Sequence, residues 1–530
     1  MGKFPQPSDG NGPNLAAPES ARHRSDLAAG LRDRRLWIAL VVALVVTWLH
    51  EGEVVPWRNE FFYLVRLFRT YQPTYIPVDW TLAGGAPEHF AFNHVFGLLA
   101  FALPPDALAW FGRLLTWTVN LGLLLLLARK LGVAPFLGLG ALVVWIGWGQ
   151  SLVAHSWVLG TFEAKCVSYA FLLGALFPLL DGRIRPAAFL VGLAFTFHPS
   201  VGLWGGVAVF AVIACELLGR FGDGRARWIE GAAAAGLVVL GAIPGLIATV
   251  PMVLSEHVAT LSDWELMTQV KMPHHLDPET WPIRVLAILP VLLVFLGIHA
   301  WESKRPAWRR LFVFQLAIAL PFLVGLILRK LSLYEELSYF PFRLFPLLTP
   351  LFFLFALLES LSRRTIGTAE RAVAILAGLA LLALPEPFSS YSHALQRRLA
   401  PSDDLPTGLA ECYDWIGENL PADVEGIAPP GLDREFWYRA ERGLVVCSEF
   451  QTYDRLSEWR RRVELLGGEM VRGPERRPSL TRHFEAITPD EMGRIVDDLE
   501  PDFLVTRAAY SWPIAFEAGE YKVYTMSTGH

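Results

Sequence analysis

The chain has 530 residues, 53% of them hydrophobic and only 18% charged, with a mean hydropathy of +0.37. Ordinary soluble domains are about 45–50% apolar and roughly 25% charged, so these figures exclude a soluble globular protein and indicate a polytopic helical membrane protein. The net charge of −5 selects no partner, because the signs are segregated along the chain, and no nucleic-acid partner is expected.

Residues 1–35 are rich in Pro, Gly, Asn and Ser and then basic (Arg22, Arg24, Arg32, Arg34, Arg35). They read as a disordered cytoplasmic tail leading into an uncleaved signal anchor. About eleven spans follow within a membrane domain over 36–387. They are Leu36–Leu49, Ala109–Ala128, Val133–Trp148, Val167–Leu180, Ala187–Phe197, Val201–Leu218, Gly231–Leu254, Ile283–Ala300, Leu311–Leu328, Leu344–Leu358 and Ala372–Leu384. Several are shorter than the ~20 residues that a perpendicular span needs. Alternate loops carry Arg129 and Lys130, Arg183 and Arg185, Arg220 to Arg227, Lys304 to Arg310, and Arg363 to Arg371. This parity puts them with the basic N-terminus on the cytoplasmic side. Phe90–Leu103 fits as a half-helix or surface segment on the outer side, since a span there would break the parity.

The loop over 50–107 contains "EVVPWRNEFFYLVRLFRTYQPTYIPVDW". From Arg58 to Arg69 the spacing is helical. Phe61, Leu64, Val65 and Phe68 share one face, while Arg58, Phe62, Arg66 and Arg69 lie elsewhere. The expectation is an interfacial helix with its arginines towards headgroups. Pro73 and Pro77 then bring Asp79 and Trp80 back to the membrane surface.

Ionisable residues against a bilayer are costly and by default suggest function. Here they gather on the outer face: His155, Glu163 and Lys165 in "HSWVLGTFEAK", His198 in "FHPSVGLW", Lys271, His274 and His275 in "VKMPHHLDPE", and Arg343 in "YFPFRLFPLL". Pro199 breaks an apolar run beside His198 and frees backbone groups that only a protein-lined or wet cavity tolerates. Each residue also has a plain structural reading. His198 would cap a helix, Glu163 and Lys165 would form an ion pair at a helix start, and Arg343 would snorkel. His274, His275, Asp277 and Glu279 resemble divalent-metal ligands in type, but adjacent histidines on a loop support no metal or other cofactor.

Residues 388–530 change character, becoming charged and punctuated by Pro. Helical pieces (Leu409–Asn419, Arg455–Leu466, Pro489–Leu499) alternate with strand-like ones (Gly426–Ala428, Leu444–Cys447, Phe503–Thr506, Tyr521–Tyr524). They predict a small extracytoplasmic α/β domain that serves as a lid or docking unit. No phosphate loop or nucleophile elbow occurs in it. Cys412 and Cys447 stand as a candidate disulfide in an oxidising compartment, while Cys166 and Cys215 read as small core residues.

Taken together, the signal anchor, the acid-bearing first outer loop, about eleven spans and the C-terminal outer domain resemble the GT-C glycosyltransferase superfamily. "NEFFYLVRLFRTYQPTYIPVDW", "FHPSVGLWGG", "FPFRLFPLL", "YDWIGENLPADVEGIAPPG" and "RLSEWRRRVELL" are similar to signatures of an uncharacterised bacterial branch. The resemblance implies an inner-membrane enzyme that moves a sugar from a polyprenyl-phosphate carrier to an acceptor at the outer face of the bilayer, with inversion. It makes Glu60 the base, with Asp79 supporting the acceptor or ordering the loop. Arg343, Lys165 and Lys271 would bind the leaving phosphate. His198, with Glu163 and His155 nearby, would contact phosphate or sugar. Glu60 follows Asn59, where the best-known members carry paired acids. The rival classes are a transporter or flippase of lipid-linked substrates and a non-catalytic envelope assembly protein on the same fold.

Overall fold

Asp33 accepts a hydrogen bond from the Arg35 amide (3.0 Å) and so starts the first helix, α1 (Arg34–Glu51). The computed structural model describes residues 32–83, 89–219, 224–254, 259–363, 367–382, 387–399 and 405–526; most of the expected N-terminal tail therefore lies outside the described residues. Next come α2 (Glu60–Tyr71), α3 (Phe90–Gly97), α4 (Pro105–Lys130), α5 (Pro135–Gly147), α6 (Ala164–Leu180), α7 (Ile184–Phe197), α8 (Pro199–Gly219) and α9 (Gly224–Leu254). The apolar series closes with α10 (Ile283–Glu302), α11 (Pro306–Lys330), α12 (Phe345–Ser362) and α13 (Thr368–Leu382).

Every expected span overlaps one of these helices, yet among the described residues six helices are long and apolar enough to cross a membrane: α4, α8, α9 from Trp228, α10, α11 and α12. Helices α5, α6 and α7 have 13, 17 and 14 residues, or about 20–26 Å at 1.5 Å per residue, short of a ~30 Å hydrocarbon core. The chain is thus a polytopic helical protein embedded in a membrane by its apolar helices. Exposed Trp37, Val41, Val45, Val239, Leu240 and Ile247 present α1 and α9 to lipid. Where α7 crosses α9, Gly192 lies against the Val238 carbonyl and Gly241 against that of Phe189, an approach that any side chain would prevent.

The basic loops meet at one end of the bundle. Lys130 pairs with Asp181, Arg129 with Asp33 (2.5 Å) and Arg310 with Glu216 (2.8 Å); Arg305 donates to the Leu131 carbonyl (3.2 Å). At this end His299 of α10 contacts Ser360 of α12 (2.8 Å) and Glu370 of α13 (2.7 Å), and Arg363 holds Glu359 (2.5 Å). These buried charges are paired and sit within about a turn or two of the helix ends, away from the midplane where a transport site would be built.

Two further helices, α14 (Pro387–Leu399) and α15 (Thr407–Asn419), lead into a five-stranded sheet of order β2-β1-β3-β5-β4. Its strands are β1 (Glu425–Ile427), β2 (Gly443–Leu444), β3 (Phe503–Thr506), β4 (Ile514–Ala518) and β5 (Tyr521–Thr525). β1 pairs in parallel with β2 and β3, and β5 runs antiparallel to β3 and β4. The flanking helices are α16 (Leu456–Gly467), α17 (Arg476–Glu485) and α18 (Pro489–Leu499). A Thr488–Glu491 capping box starts α18. Strand β4 and helix α17 escape the sequence reading. β4 is a mostly exposed edge strand, and α17 buries only Leu480 and Phe484, so neither has a strong apolar period. Cys412 and Cys447 are free thiols buried in one core, so the candidate disulfide is absent; Cys166 is buried as expected, whereas Cys215 is exposed on α8.

The expected interfacial helix is instead packed on nearly all sides. α2 buries Glu60, Phe61, Tyr63, Leu64, Val65, Arg66, Leu67 and Phe68. Its Val65, with Ile76 and Leu82, belongs to the core of the C-terminal sheet. The arginines face protein rather than headgroups: Arg66 stacks on Phe62 (4.7 Å) and Arg69 donates to the Pro77 carbonyl (3.3 Å). Docking of the C-terminal part onto the first loop covers the face that a helical pattern alone assigns to lipid.

Candidate functional site

Away from the basic loops, loop and helix-end residues converge. Pro199 excludes helical backbone at the preceding residue. α7 therefore stops at Phe197, and His198 is extended (φ −152°, ψ 104°), turned out of the helix line. Arg343, in the turn before α12, reaches it: Nη1 lies 3.1 Å from His198 Nε2 and donates to Ser200 Oγ at 2.9 Å, with the guanidinium over the Phe340 ring (4.5 Å). The His89 ring is 5.7 Å from that of His198, and its Nε2 contacts the Tyr63 hydroxyl at 3.1 Å.

Glu163 ends the loop before α6 at the capping position, but its carboxylate does not cap. It accepts from Thr161 Oγ1, pairs with Lys165 Nζ (3.0 Å) and receives a long contact from Asn59 Nδ2 (3.5 Å). Lys165 Nζ also sits 3.2 Å from the centre of the Trp157 ring. Two groups link the halves of the cluster electrostatically. Burial and the Arg66 charge, with lesser effects from Arg343 and Lys165 and an opposing one from Glu163, bring His89 down to about 3. Burial, then His274, Lys165 and Arg343, drive His275 well below the ordinary histidine value. Buried donors at Trp157 Nε1 and the Tyr169 hydroxyl, one turn beyond Lys165, have no hydrogen-bond partner among the described residues. Glu163, Lys165, His198 and Arg343 are therefore brought together.

The Glu60 carboxylate is enclosed by donors. It is fully buried, and its four acceptor positions are filled by Arg113 Nε (2.7 Å), Arg113 Nη2, the Phe162 amide (2.7 Å) and the Trp57 amide (2.9 Å). Arg113, fully buried in α4, also donates to the Glu53 carbonyl (2.7 Å). Through Phe162, Glu60 holds the backbone next to Glu163.

Asp79 orders the loop. Oδ1 accepts from the Leu82 amide (2.6 Å), and Oδ2 from Trp437 Nε1 (2.6 Å) and the Leu444 amide of β2 (2.8 Å). Burial raises its titration to about 6, against these hydrogen bonds. At this junction a side chain on Gly443 would strike the Val78 carbonyl. The guanidinium groups of Arg455 (4.3 Å) and Arg462 (4.4 Å) lie over the Trp80 ring. Lys271 is likewise an anchor: Nζ donates to the Ser448 (2.8 Å) and Glu449 (2.9 Å) carbonyls, so it is spent on docking rather than offered to a phosphate. His155 is exposed, its ring 5.6 Å from His274 at the rim. Asp277 and Glu279 turn from the histidines to Arg329 (2.9 and 3.0 Å), and among the described residues no three His, Cys, Asp or Glu side chains are grouped as metal ligands.

His89 and Arg113 are missing from the sequence reading. Arg113, a charge inside an apolar run, carried the signal; His89 had none beyond its proximity to Phe90–Leu103. No protein-family model matches the chain, and no curated protein matches it.

Proposed function

We propose that this chain is a GT-C-type glycosyltransferase with about eleven spans. It moves a sugar from a polyprenyl-phosphate carrier to an acceptor at the outer face of a bacterial inner membrane, with the N-terminus cytoplasmic. The observation that carries the reading is the Glu163–Lys165 pair and the Arg343–His198–Ser200 group, drawn from separate parts of the chain and linked through His89, which lies beside His198 and feels Glu163, Lys165 and Arg343. The resemblance of the first loop and of the "FHPSVGLWGG" and "FPFRLFPLL" stretches adds to it.

In this reading Glu163 takes the base role in place of Glu60, because it keeps acceptor capacity that Glu60 has spent. It accepts the proton of an acceptor hydroxyl as that oxygen bonds to the anomeric carbon and the bond from carbon to phosphate oxygen breaks. Arg343 and Lys165 stabilise the charge left on the lipid phosphate, and His198 orients it. The unpartnered Trp157 and Tyr169 donors suit sugar hydroxyls.

The test is transfer from a synthetic polyprenyl-phosphate sugar by the purified chain in nanodiscs. Glu163→Gln should lower the rate by about 100-fold or more, the scale of a general base. Full activity in that variant, or no carrier lipid bound to the purified protein and no transfer to any acceptor, would overturn the reading.

A further inference from the structure

Helix α17 begins with Arg476 and Arg477 and has no acid in its first turn. Cations are disfavoured there, since the helix dipole is positive at that end. Both arginines turn to Glu449, which Arg477 grips through Nε (3.0 Å) and Nη2 (2.8 Å) and Arg476 reaches at 3.5 Å. Arg434 approaches the same carboxylate at 3.6 Å. Three guanidinium groups thus share one carboxylate, with the Lys271 amine bonded to the Glu449 backbone carbonyl. The neighbouring Asp433 is spent on Ser448, and burial together with Glu449 lifts it to about 7, so it offsets little of the excess. Arg476 Nη1 is buried with no hydrogen-bond partner among the described residues, although the residue is partly exposed. The patch adjoins the site's rim: burial, then His155, Arg476 and Lys165, hold His274 down to about 4.

We propose that Arg434, Arg476 and Arg477 form an anion site that takes a phosphate or carboxylate group. On the glycosyltransferase reading, on which this attribution rests, the group is carried by the acceptor. Guanidinium forks match either anion in two-point geometry, and Glu449 holds the forks in place until a ligand competes for them.

The experiment is calorimetric titration of the full-length protein with inorganic phosphate in neutral-lipid nanodiscs. A background with both Arg343→Gln and Lys165→Gln removes the inner cluster's contribution. Binding should weaken about tenfold or more in Arg476→Gln, by the worth of a charge-assisted bond. It should weaken also in Arg434→Gln, whose single long contact makes loss of folding no concern. Glu449→Gln should tighten binding by removing the competing charge. No binding, or equal affinity in all variants, would overturn the site. Displacement of phosphate by anionic phospholipid in the disc would overturn the assignment to an acceptor in favour of a lipid headgroup. Glu163→Gln should bind phosphate normally, so phosphate binding without transfer in any variant would keep the site while the reading above fell.

Discussion

Glu60→Gln separates a structural role from a catalytic one. The substitution puts an amide NH2 where Arg113 or a backbone amide already points a donor, and it leaves the Arg113 cation buried without its counter-charge. Breaking a fully buried pair costs about 3–5 kcal/mol. Arg113→Met should cost as much, and also leaves the Glu53 carbonyl (2.7 Å) and Val54 carbonyl (3.4 Å) without a donor, at roughly 1 kcal/mol each. Because both single changes strand the same partner, the double variant should fall short of their sum by about 2 kcal/mol or more. Denaturant unfolding in detergent measures the cycle, and transfer per folded molecule is assayed in parallel. Glu60→Gln should show low yield and low stability, but substantial activity in the fraction that folds. A variant within about 1 kcal/mol of wild type and inactive in transfer would refute the assignment and return Glu60 to the base role.

The remaining expectations concern the junction. Asp79 titrates near 6 instead of 3.8, so between those pH values the folded chain holds a proton that the unfolded chain has lost. Its contribution to stability therefore falls as pH rises through that window, by roughly 3 kcal/mol, and this slope should shrink in Asp79→Ala melts. Lys271 moves the other way: burial, aided by Arg476, lowers it to about 7. The folded chain then holds fewer protons than the unfolded one from about pH 7 to the ordinary lysine value, stability rises with pH there, and Lys271→Met should abolish the rise. Cys412 and Cys447 should resist alkylation in the native protein, react after denaturation, and give one intact mass with or without reductant. A cysteine placed at exposed Arg482 should react with a membrane-impermeant thiol reagent on intact spheroplasts; labelling only after lysis would put the C-terminal part in the cytosol.

What the sequence determined by itself follows from periods and punctuation. Apolar runs located the helices, the spacing of basic loops indicated that they share an end, Pro199 broke the chain at His198, and alternating short patterns gave four of the five strands. These are local properties, written in consecutive residues. What the tertiary structure decided is which charges neutralise each other. Glu60 and Glu163 look alike as acids in loops, yet one meets a buried arginine 53 positions away that with two backbone amides fills its lone pairs, and the other meets a lysine two residues on. Asp79 and Lys271 looked like site residues because buried charge suggests function, but their partners include groups of the C-terminal sheet region more than 150 residues distant. A carboxylate's chemistry depends on how many donors reach it, and donors arrive through packing between distant segments, which no local pattern encodes.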